Sequence, residues 1–137
     1  MTTPDYYLAR ICAPLLLLAV SAYSIAQTYP SKPIRLIVPN TPGGGTDTVA
    51  RAIADKLAPV LGQPILVDNR GGAGGAIAAE MVARAPKDGY TLLLGSAATL
   101  ITGPAFITRR KYDPIKDFAP VSLVGTTAYM FVAHPSL

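Results

Sequence analysis

The chain has 137 residues, a formal net charge of +4, one cysteine and one histidine. That length is enough for one domain. The only run of basic residues is Arg109–Lys111, and the other lysines and arginines are dispersed without interleaved aromatic residues. A surface that binds nucleic acid is therefore not indicated, because such surfaces cluster positive charge and often stacking side chains on one face.

Residues 1–26 are typical of a cleavable secretory signal peptide. Arg10 precedes an apolar run at 11–20, and residues 24–26 (SIA) supply small side chains for cleavage. The run is about half of the ~20 residues that a membrane-spanning helix needs, so an uncleaved anchor is the alternative. Cys12 lies ahead of most of the apolar run, which argues against lipidation and leaves the mature chain without a thiol.

Strand-like and helix-like segments alternate after residue 29. Residues 34–38 (IRLIV) predict a buried strand. In the segment that follows, Val49, Ile53 and Leu57 recur at helical spacing and form an apolar stripe with their flanking residues Ala50, Ala54, Ala58 and Leu61. We expect Thr46 or Asp47 to cap this helix and Gly62 to end it. Pro59 predicts a kink or an early end, because proline removes a backbone donor and clashes one turn back.

The same cycle is repeated further along the chain. A strand at 64–68, a glycine-rich turn at 69–75, a helix at 76–85 and a strand at 90–94 are followed by small residues at 95–103. This order indicates right-handed βαβ units, and hence an α/β fold with a parallel sheet. Beyond these, residues 112–120 predict a loop, and residues 121–124 and 129–133 predict two further strands.

Small residues follow each of the three predicted strands, at 41–47, 69–75 and 95–99. Ligands of open parallel sheets gather at the carboxyl ends of the strands. Where such a segment leads into a helix, unpaired N–H groups and a partial positive charge suit a carboxylate or phosphate. Each glycine could instead serve only a tight turn, but several such segments at one edge favour an anion site.

Nucleotide cofactors, metals and catalysis are poorly supported. No glycine is followed by lysine, as a P-loop requires, and residues 72–77 (GAGGAI) end in Ile77 where the dinucleotide fingerprint needs Gly or Ala. Ser96 stands in Gly-Ser-Ala-Ala and not in a nucleophile elbow, and His134 has no evident partners. Asp113 and Asp117 alone do not form a metal site. The sequence therefore predicts no cofactor, no metal and no enzyme, with a small secreted hydrolase as the alternative.

Four segments together resemble the substrate-binding receptors of tripartite tricarboxylate transporters, known as Bug proteins. They are 29–57 (YPSKPIRLIVPNTPGGGTDTVARAIADKL), 61–83 (LGQPILVDNRGGAGGAIAAEMVA), 88–96 (DGYTLLLGS) and 112–124 (YDPIKDFAPVSLV). The resemblance implies a type II periplasmic binding-protein fold, in which two α/β lobes close over a small di- or tricarboxylate that is delivered to membrane permease subunits. It implies that residues 27–120 form part of the first lobe and that 121–137 lead toward a second lobe that is missing here.

The resemblance also implies where the carboxylate is held. The matching positions lie in the loops after the first three strands: Pro42, Gly43, Gly44, Gly45, Thr46 and Asp47; Gly74, Gly75 and Ala76; and Ser96, Ala97 and Thr99. For Asp47, capping of the helix or contact with an ammonium group is favoured, because a carboxylate repels an anion. Asn40, Ala76 and Leu100 differ from residues common in the family, which leaves the identity of the carboxylate open.

A chain with one incomplete lobe is expected to bind solute weakly or not at all by itself, because a cleft receptor gains affinity by closing both lobes. A third interpretation is an interaction fragment that pairs through its open strand edge.

Overall fold

The computed structural model describes residues 28–106, 111–128 and 130–136. The predicted signal peptide lies outside these residues. Three parallel strands, β1 (Ile34–Val38), β2 (Ile65–Asn69) and β3 (Thr91–Leu93), form one sheet with the order β2-β1-β3. The predicted α/β fold with a parallel sheet is confirmed.

The helices connect the strands. Helix α1 (Gly45–Leu61) lies between β1 and β2, and a short 3₁₀ turn (Ala73–Gly75) leads into α2 (Ala76–Ala83) between β2 and β3. After β3 come a π-helical turn (Ala98–Thr102) and α3 (Gly103–Phe106). The sequence predicted only a small-residue connection at 95–103, and the π-helical turn within it was missed. No helix among the described residues is long and apolar enough to cross a bilayer.

The strands are in register, so their carboxyl ends meet at one edge of the sheet. Val38 at the end of β1 pairs with Asn69 of β2, and Ile37 pairs with Leu93 of β3. The ladder extends slightly past the strands, because Arg70 donates its N–H to the Val38 carbonyl at 2.8 Å and Leu94 donates to the Ile37 carbonyl at 2.9 Å. The segments after all three strands are thereby brought to the same place.

The core is built on β1, the central strand. Leu36 and Val38 pack with Ala50 of α1 in one buried cluster, against which Ile65, Val67, Leu92 and Leu94 are partly buried. Ile37, which alternation places on the opposite face, is fully buried. Burying one such side chain contributes roughly 1.5–3 kcal/mol.

The buried apolar residues of α1 belong to the predicted stripe, but they are its small members. Val49 and Leu57 are 43% and 42% exposed, whereas Ala50 and Ala54 are buried. Alanine has no bulk beyond Cβ, so it lets a helix approach a sheet closely, and the larger apolar side chains are left at the margin of the contact. The predicted helix is present, and the members of its predicted stripe that are buried are alanines.

Pro59 does not end α1 early, although an early end was one of the two outcomes predicted for it; a kink stays a prediction. The helix continues to Leu61 and stops at Gly62, which has a left-handed φ of 67° as expected for a glycine that terminates a helix. Pro59 lies in the last turn, where it removes the N–H that would pair with the carbonyl of Asp55. Asp55 is exposed, so water can satisfy that carbonyl.

The two strands predicted at 121–124 and 129–133 are not present in the described parts of these segments; Tyr129 lies outside the description. Val121, Leu123 and Phe131 are 83%, 79% and 102% exposed. A β-strand exists only when its N–H and C=O groups pair with a neighbour, and the described residues offer none here. The domain boundary at 120/121 stays a prediction.

Candidate functional site

A cleft of about 290 Å³ opens at the carboxyl edge of the sheet. It is lined by residues that follow each of the three strands: Pro39, Asn40 and Thr41 after β1; Gly71, Gly72, Gly74 and Gly75 after β2; and Ser96, Ala98 and Thr99 after β3. In the sheet order β2-β1-β3, β2 lies on one side of β1, and the chain then crosses to place β3 on the other side. The strand order therefore reverses at β1. Clefts at such a reversal of strand order are where open α/β sheets bind ligands.

The wall that follows β2 is almost entirely main chain. Gly72, Gly74 and Gly75 have φ values of 119°, 63° and 91°, and Ala73 between them has a φ of 47°. Residues other than glycine are strained in this left-handed region, because their Cβ atom crowds the following carbonyl oxygen. A run of such residues exposes the backbone to the cleft, where a ligand can approach it closely.

We number the walls of the cleft by the strand they follow, so the first, second and third walls come after β1, β2 and β3. Gly75 joins the second wall to the third. It is buried, and a Cβ atom added to it would lie 2.5 Å from the Thr99 hydroxyl oxygen and 2.9 Å from Cβ of Pro39. Only glycine therefore allows the segments after β1, β2 and β3 to meet here.

The third wall carries two hydroxyl groups. Ser96 Oγ lies 3.1 Å from Thr99 Oγ1, and the Thr99 N–H lies 3.0 Å from the Ser96 carbonyl, to which it donates. The buried Tyr112 donates its hydroxyl to the Thr99 carbonyl at 2.7 Å. These bonds fix the π-helical turn against the body of the protein.

The first wall leads into the amino end of α1. Gly44 is the N-cap residue, with an extended φ of −78° and no side-chain cap, so the expectation that Thr46 or Asp47 is the N-cap was wrong. Asp47 is instead the third residue of the helix, and its Oδ2 accepts the N–H of Gly43 at 2.9 Å. A carboxylate can reach back in this way because the helix start has unpaired N–H groups.

Asp47 is buried and strongly acidic. Arg51 donates Nε–H to Asp47 Oδ2 at 3.0 Å, and this bond, together with that from Gly43, lowers the pKa of Asp47 to about 2 against the opposing effect of desolvation. Its other oxygen, Oδ1, is buried and accepts no hydrogen bond from the described residues. The negative charge of Asp47 also offsets part of the positive potential at this helix end.

The structure brings some of the predicted site residues onto the cleft and leaves others off it. Gly74, Gly75, Ser96 and Thr99 line the cleft. The remaining predicted residues are not on its wall: Pro42, Gly43, Gly44, Gly45, Thr46, Asp47, Ala76 and Ala97. Whether any of them contacts a ligand stays a prediction.

Sequence reasoning missed six residues of the wall: Pro39, Asn40, Thr41, Gly71, Gly72 and Ala98. Thr41, Gly71, Gly72 and Ala98 lie inside the small-residue segments already singled out, so their position after a strand was the available signal. Pro39 and Asn40 immediately follow β1 and could have been found by the same rule.

The described residues contain no group of three or more His, Cys, Asp or Glu side chains that could hold a metal ion. Ser96 pairs with Thr99, while the Nδ1 atom of His134 lies 2.6 Å from Ser136 Oγ near the end of the chain. No hydrogen bond in the described part of the chain links Ser96 to a histidine, as an activated serine nucleophile would require.

Known proteins resemble this chain. The family described as "Tripartite tricarboxylate transporter family receptor" matches residues 49–137. Protein BugT of Bordetella pertussis is 44% identical over 119 residues, which are 86% of this chain and 36% of that protein. The chain thus spans just over a third of the length of that relative.

Two solved structures add the fold comparison. MatC from Rhodopseudomonas palustris with bound malate has a TM-score of 0.67 and 45% sequence identity, with 70% of this chain and 33% of that chain covered. The periplasmic binding protein BugD has a TM-score of 0.64 and 43% identity, with 67% of this chain and 30% of that chain covered.

Proposed function

Because the chain belongs to the tripartite tricarboxylate transporter receptor family, whose members are periplasmic solute-binding proteins and not enzymes, we propose that its cleft receives a small di- or tricarboxylate. The observation that carries the proposal is the convergence of the segments after β1, β2 and β3 on one cleft at the point where strand order reverses. Malate, the ligand of the similar protein MatC, is the first candidate.

The chemistry of the cleft suits an organic acid. Its lining includes four glycines and the hydroxyl-bearing residues Thr41 and Ser96, and main-chain N–H and hydroxyl groups can donate hydrogen bonds to carboxylate oxygens. A volume of about 290 Å³ lies just below the ~300–1,000 Å³ typical of ligand pockets, which fits a compact solute.

The consecutive glycines Gly43, Gly44 and Gly45 give further support. Gly43 needs to be glycine because its φ is 83°. Gly44 and Gly45 have no such φ, and a Cβ added to Gly45 would meet nothing within 4 Å, while one on Gly44 would meet only the Thr41 carbonyl oxygen at 3.6 Å. The fold of the chain does not require glycine at these two positions. Close approach of the ligand to the free N–H groups at the start of α1 supplies a reason.

In this proposal the chain is the part of a periplasmic receptor that contacts the carboxylate from one side, and permease subunits in the membrane take the solute from it. Export by the signal peptide at 1–26 belongs to the same proposal. Since the chain spans just over a third of BugT, we expect its own affinity for a carboxylate to be weaker than micromolar.

Backbone NMR tests the proposal at such affinities. The full chain labelled with ¹⁵N is titrated with malate and citrate, and we expect concentration-dependent shifts of the Thr41, Gly74 and Thr99 amides, with Gly62 and Gly89 unaffected. Absence of shifts at the cleft, or shifts confined to other regions, contradicts the proposal.

A matched pair of glycines sharpens this test. Gly74 and Gly62 have φ values of 63° and 67°, and neither would bring an added Cβ within 4 Å of another atom. Gly74→Ala and Gly62→Ala therefore carry similar strain, but only Gly74 lines the cleft. We expect Gly74→Ala alone to weaken the response to malate. Equal responses of the two variants argue against this wall as the binding surface.

A further inference from the structure

We propose that Arg51 and Asn69 are positioning residues that hold the first wall of the cleft in its binding geometry. The inference rests on the proposed function, because it assigns these two residues a role in the same site. Neither residue lines the cleft. We call Asp47, Arg51 and Asn69 together the loop clamp, since they join both ends of the loop at 40–43.

The clamp holds the far end of this loop through Asp47. The Gly43 N–H and the Arg51 Nε–H are both donated to Asp47 Oδ2, at 2.9 and 3.0 Å. One carboxylate oxygen is therefore shared between the loop and the arginine.

The near end of the loop is held through Asn69, the last residue of β2. Arg51 Nη2 donates to Asn69 Oδ1 at 3.3 Å, and Asn69 Nδ2 donates to the Asn40 carbonyl at 3.2 Å. Asn40 lines the cleft. A continuous series of hydrogen bonds thus runs from the start of α1 across the end of β2 to a wall of the cleft.

The loop has little else to hold it. The glycines at its far end carry no side chains, and a Cβ on Gly43 or Gly45 would meet nothing within 4 Å. Asn40 and Thr41 are exposed. A close neighbour of the loop is Gly71, where an added Cβ would lie 3.5 Å from the Thr41 nitrogen. With so little packing, the geometry of the loop depends largely on its hydrogen bonds.

Only arginine at position 51 can serve both contacts. Its planar guanidinium directs Nε toward Asp47 and Nη2 toward Asn69 at a fixed angle, whereas the single ammonium group of lysine has no such fork. The Arg51 side chain is 54% exposed, and exposed ion pairs contribute little to global stability. Its effect is therefore expected on the geometry of the loop more than on unfolding.

The chain offers a matched control on α2. Arg84 pairs with Glu80 in the same i, i+4 arrangement as Arg51 with Asp47, and its side chain is similarly exposed. Arg84→Met removes one positive charge and one ion pair, as Arg51→Met does, but it breaks no hydrogen bond of the loop clamp. Arg51→Lys keeps the charge and loses the fork, and Asn69→Leu changes no charge.

The variants Arg51→Met, Arg51→Lys, Asn69→Leu and Arg84→Met are compared with the unchanged chain in two measurements. The first is amide hydrogen exchange of Gly43 without ligand, and the second is the malate dissociation constant from the NMR titration. For all variants of the clamp we expect the malate dissociation constant to rise at least about fivefold. For Arg51→Met we also expect Gly43 exchange about tenfold faster, because no cation holds Asp47. Arg84→Met should match the unchanged chain in both.

The outcomes separate the two proposals. Unchanged Gly43 exchange in Arg51→Met, or an equal effect of Arg84→Met, overturns the clamp. Normal malate affinity in Asn69→Leu also overturns it, because the link to Asn40 would then have no effect on the cleft. If the unchanged chain does not respond to malate, the proposed function fails, while the exchange measurement still decides whether Arg51 holds the loop.

Discussion

Gly75 and Thr99 are packed so closely that a β-carbon on Gly75 would lie 2.5 Å from the threonine hydroxyl oxygen. This contact joins the segment after β2 to the segment after β3. It depends on a residue with a φ of 91°, a conformation that glycine alone adopts without strain.

Gly75→Ala should therefore be strongly destabilising. The left-handed conformation costs about 1–2 kcal/mol for alanine, and overpacking against Thr99 and Pro39 adds about 1–3 kcal/mol. We expect urea denaturation to show a loss of roughly 2–5 kcal/mol in the free energy of unfolding. Gly62→Ala, at a φ of 67° with open space around it, should cost only the conformational part. Equal losses in the two variants would mean that the contact with Thr99 is not restrictive.

Gly45→Ala should have the opposite effect on stability. Gly45 is the first residue of α1, its φ is not left-handed and an added Cβ meets nothing within 4 Å. Replacing such a glycine stabilises proteins by about 0.4–1 kcal/mol, because the unfolded chain loses freedom. Thermal unfolding should show a higher midpoint, and a lower one would contradict the geometry described for this position.

Gly44→Val tests whether the consecutive glycines serve the ligand or only the turn. The extended φ of −78° at Gly44 suits valine, and the nearest atom to its Cβ would be 3.6 Å away. We expect the fold to persist, as judged by circular dichroism, and the response to malate to fall because a branched side chain blocks the helix start. Unchanged binding would leave the glycines with a role in the turn alone.

The decrease in the free energy of unfolding at acidic pH should depend on Asp47. Hydrogen bonds from Arg51 and Gly43 lower its pKa from 3.8 to about 2, so the folded state favours the ionised form. This contribution is fully present above the unfolded-state pKa near 4 and is lost as the pH falls toward 2. Asp47→Asn should reduce stability at neutral pH and flatten the change between about pH 4 and 2 in denaturant titrations. Lys32→Met, which loosens the exposed pair with Asp88, is the control and should leave most of that slope.

Tyr112→Phe should loosen the third wall. The phenol donates a buried hydrogen bond to the Thr99 carbonyl at 2.7 Å, and losing one such bond costs about 1 kcal/mol. We expect the Thr99 and Leu100 amides to shift and exchange faster in NMR spectra, since both lie in the turn that this bond holds. Tyr29→Phe removes an exposed bond to the Gly89 carbonyl and should leave those amides unchanged. The prediction fails if both variants give the same spectra around Thr99.

Local patterns in the sequence were sufficient to predict the parallel sheet. Ile34–Val38 is a mainly apolar run between two prolines, and further apolar runs occur at β2 and β3. Because helix-like segments lie between these runs, the sequence indicated βαβ units. The rule that ligands gather at the carboxyl ends of strands then predicted the edge at which the cleft lies. These features follow from residues that are close together in the chain, so they can be predicted from a single sequence.

The features that were missed depend on contacts between distant residues. Which members of the apolar stripe of α1 are buried depends on how close the helix comes to the sheet, and there Ala50 is buried while Val49 is left 43% exposed. The segment around Leu123 and Phe131 has the composition of a strand, but composition cannot supply the neighbour that a strand must pair with. The clamp between Arg51 and Asn69 joins residues 18 positions apart and has no signature in either segment alone.

The wall of the cleft that follows β2 is formed by glycine main chain, so the shape of this wall is set by backbone angles and not by side-chain volume. Gly72, Gly74 and Gly75 have left-handed φ values, so replacing them strains the backbone, and at Gly75 the replacement also threatens folding. Asn40 and Thr41 line the same cleft and are exposed, so their side chains can vary at less cost to the fold. The side chains that follow β1 can therefore change while the glycine wall that follows β2 is kept.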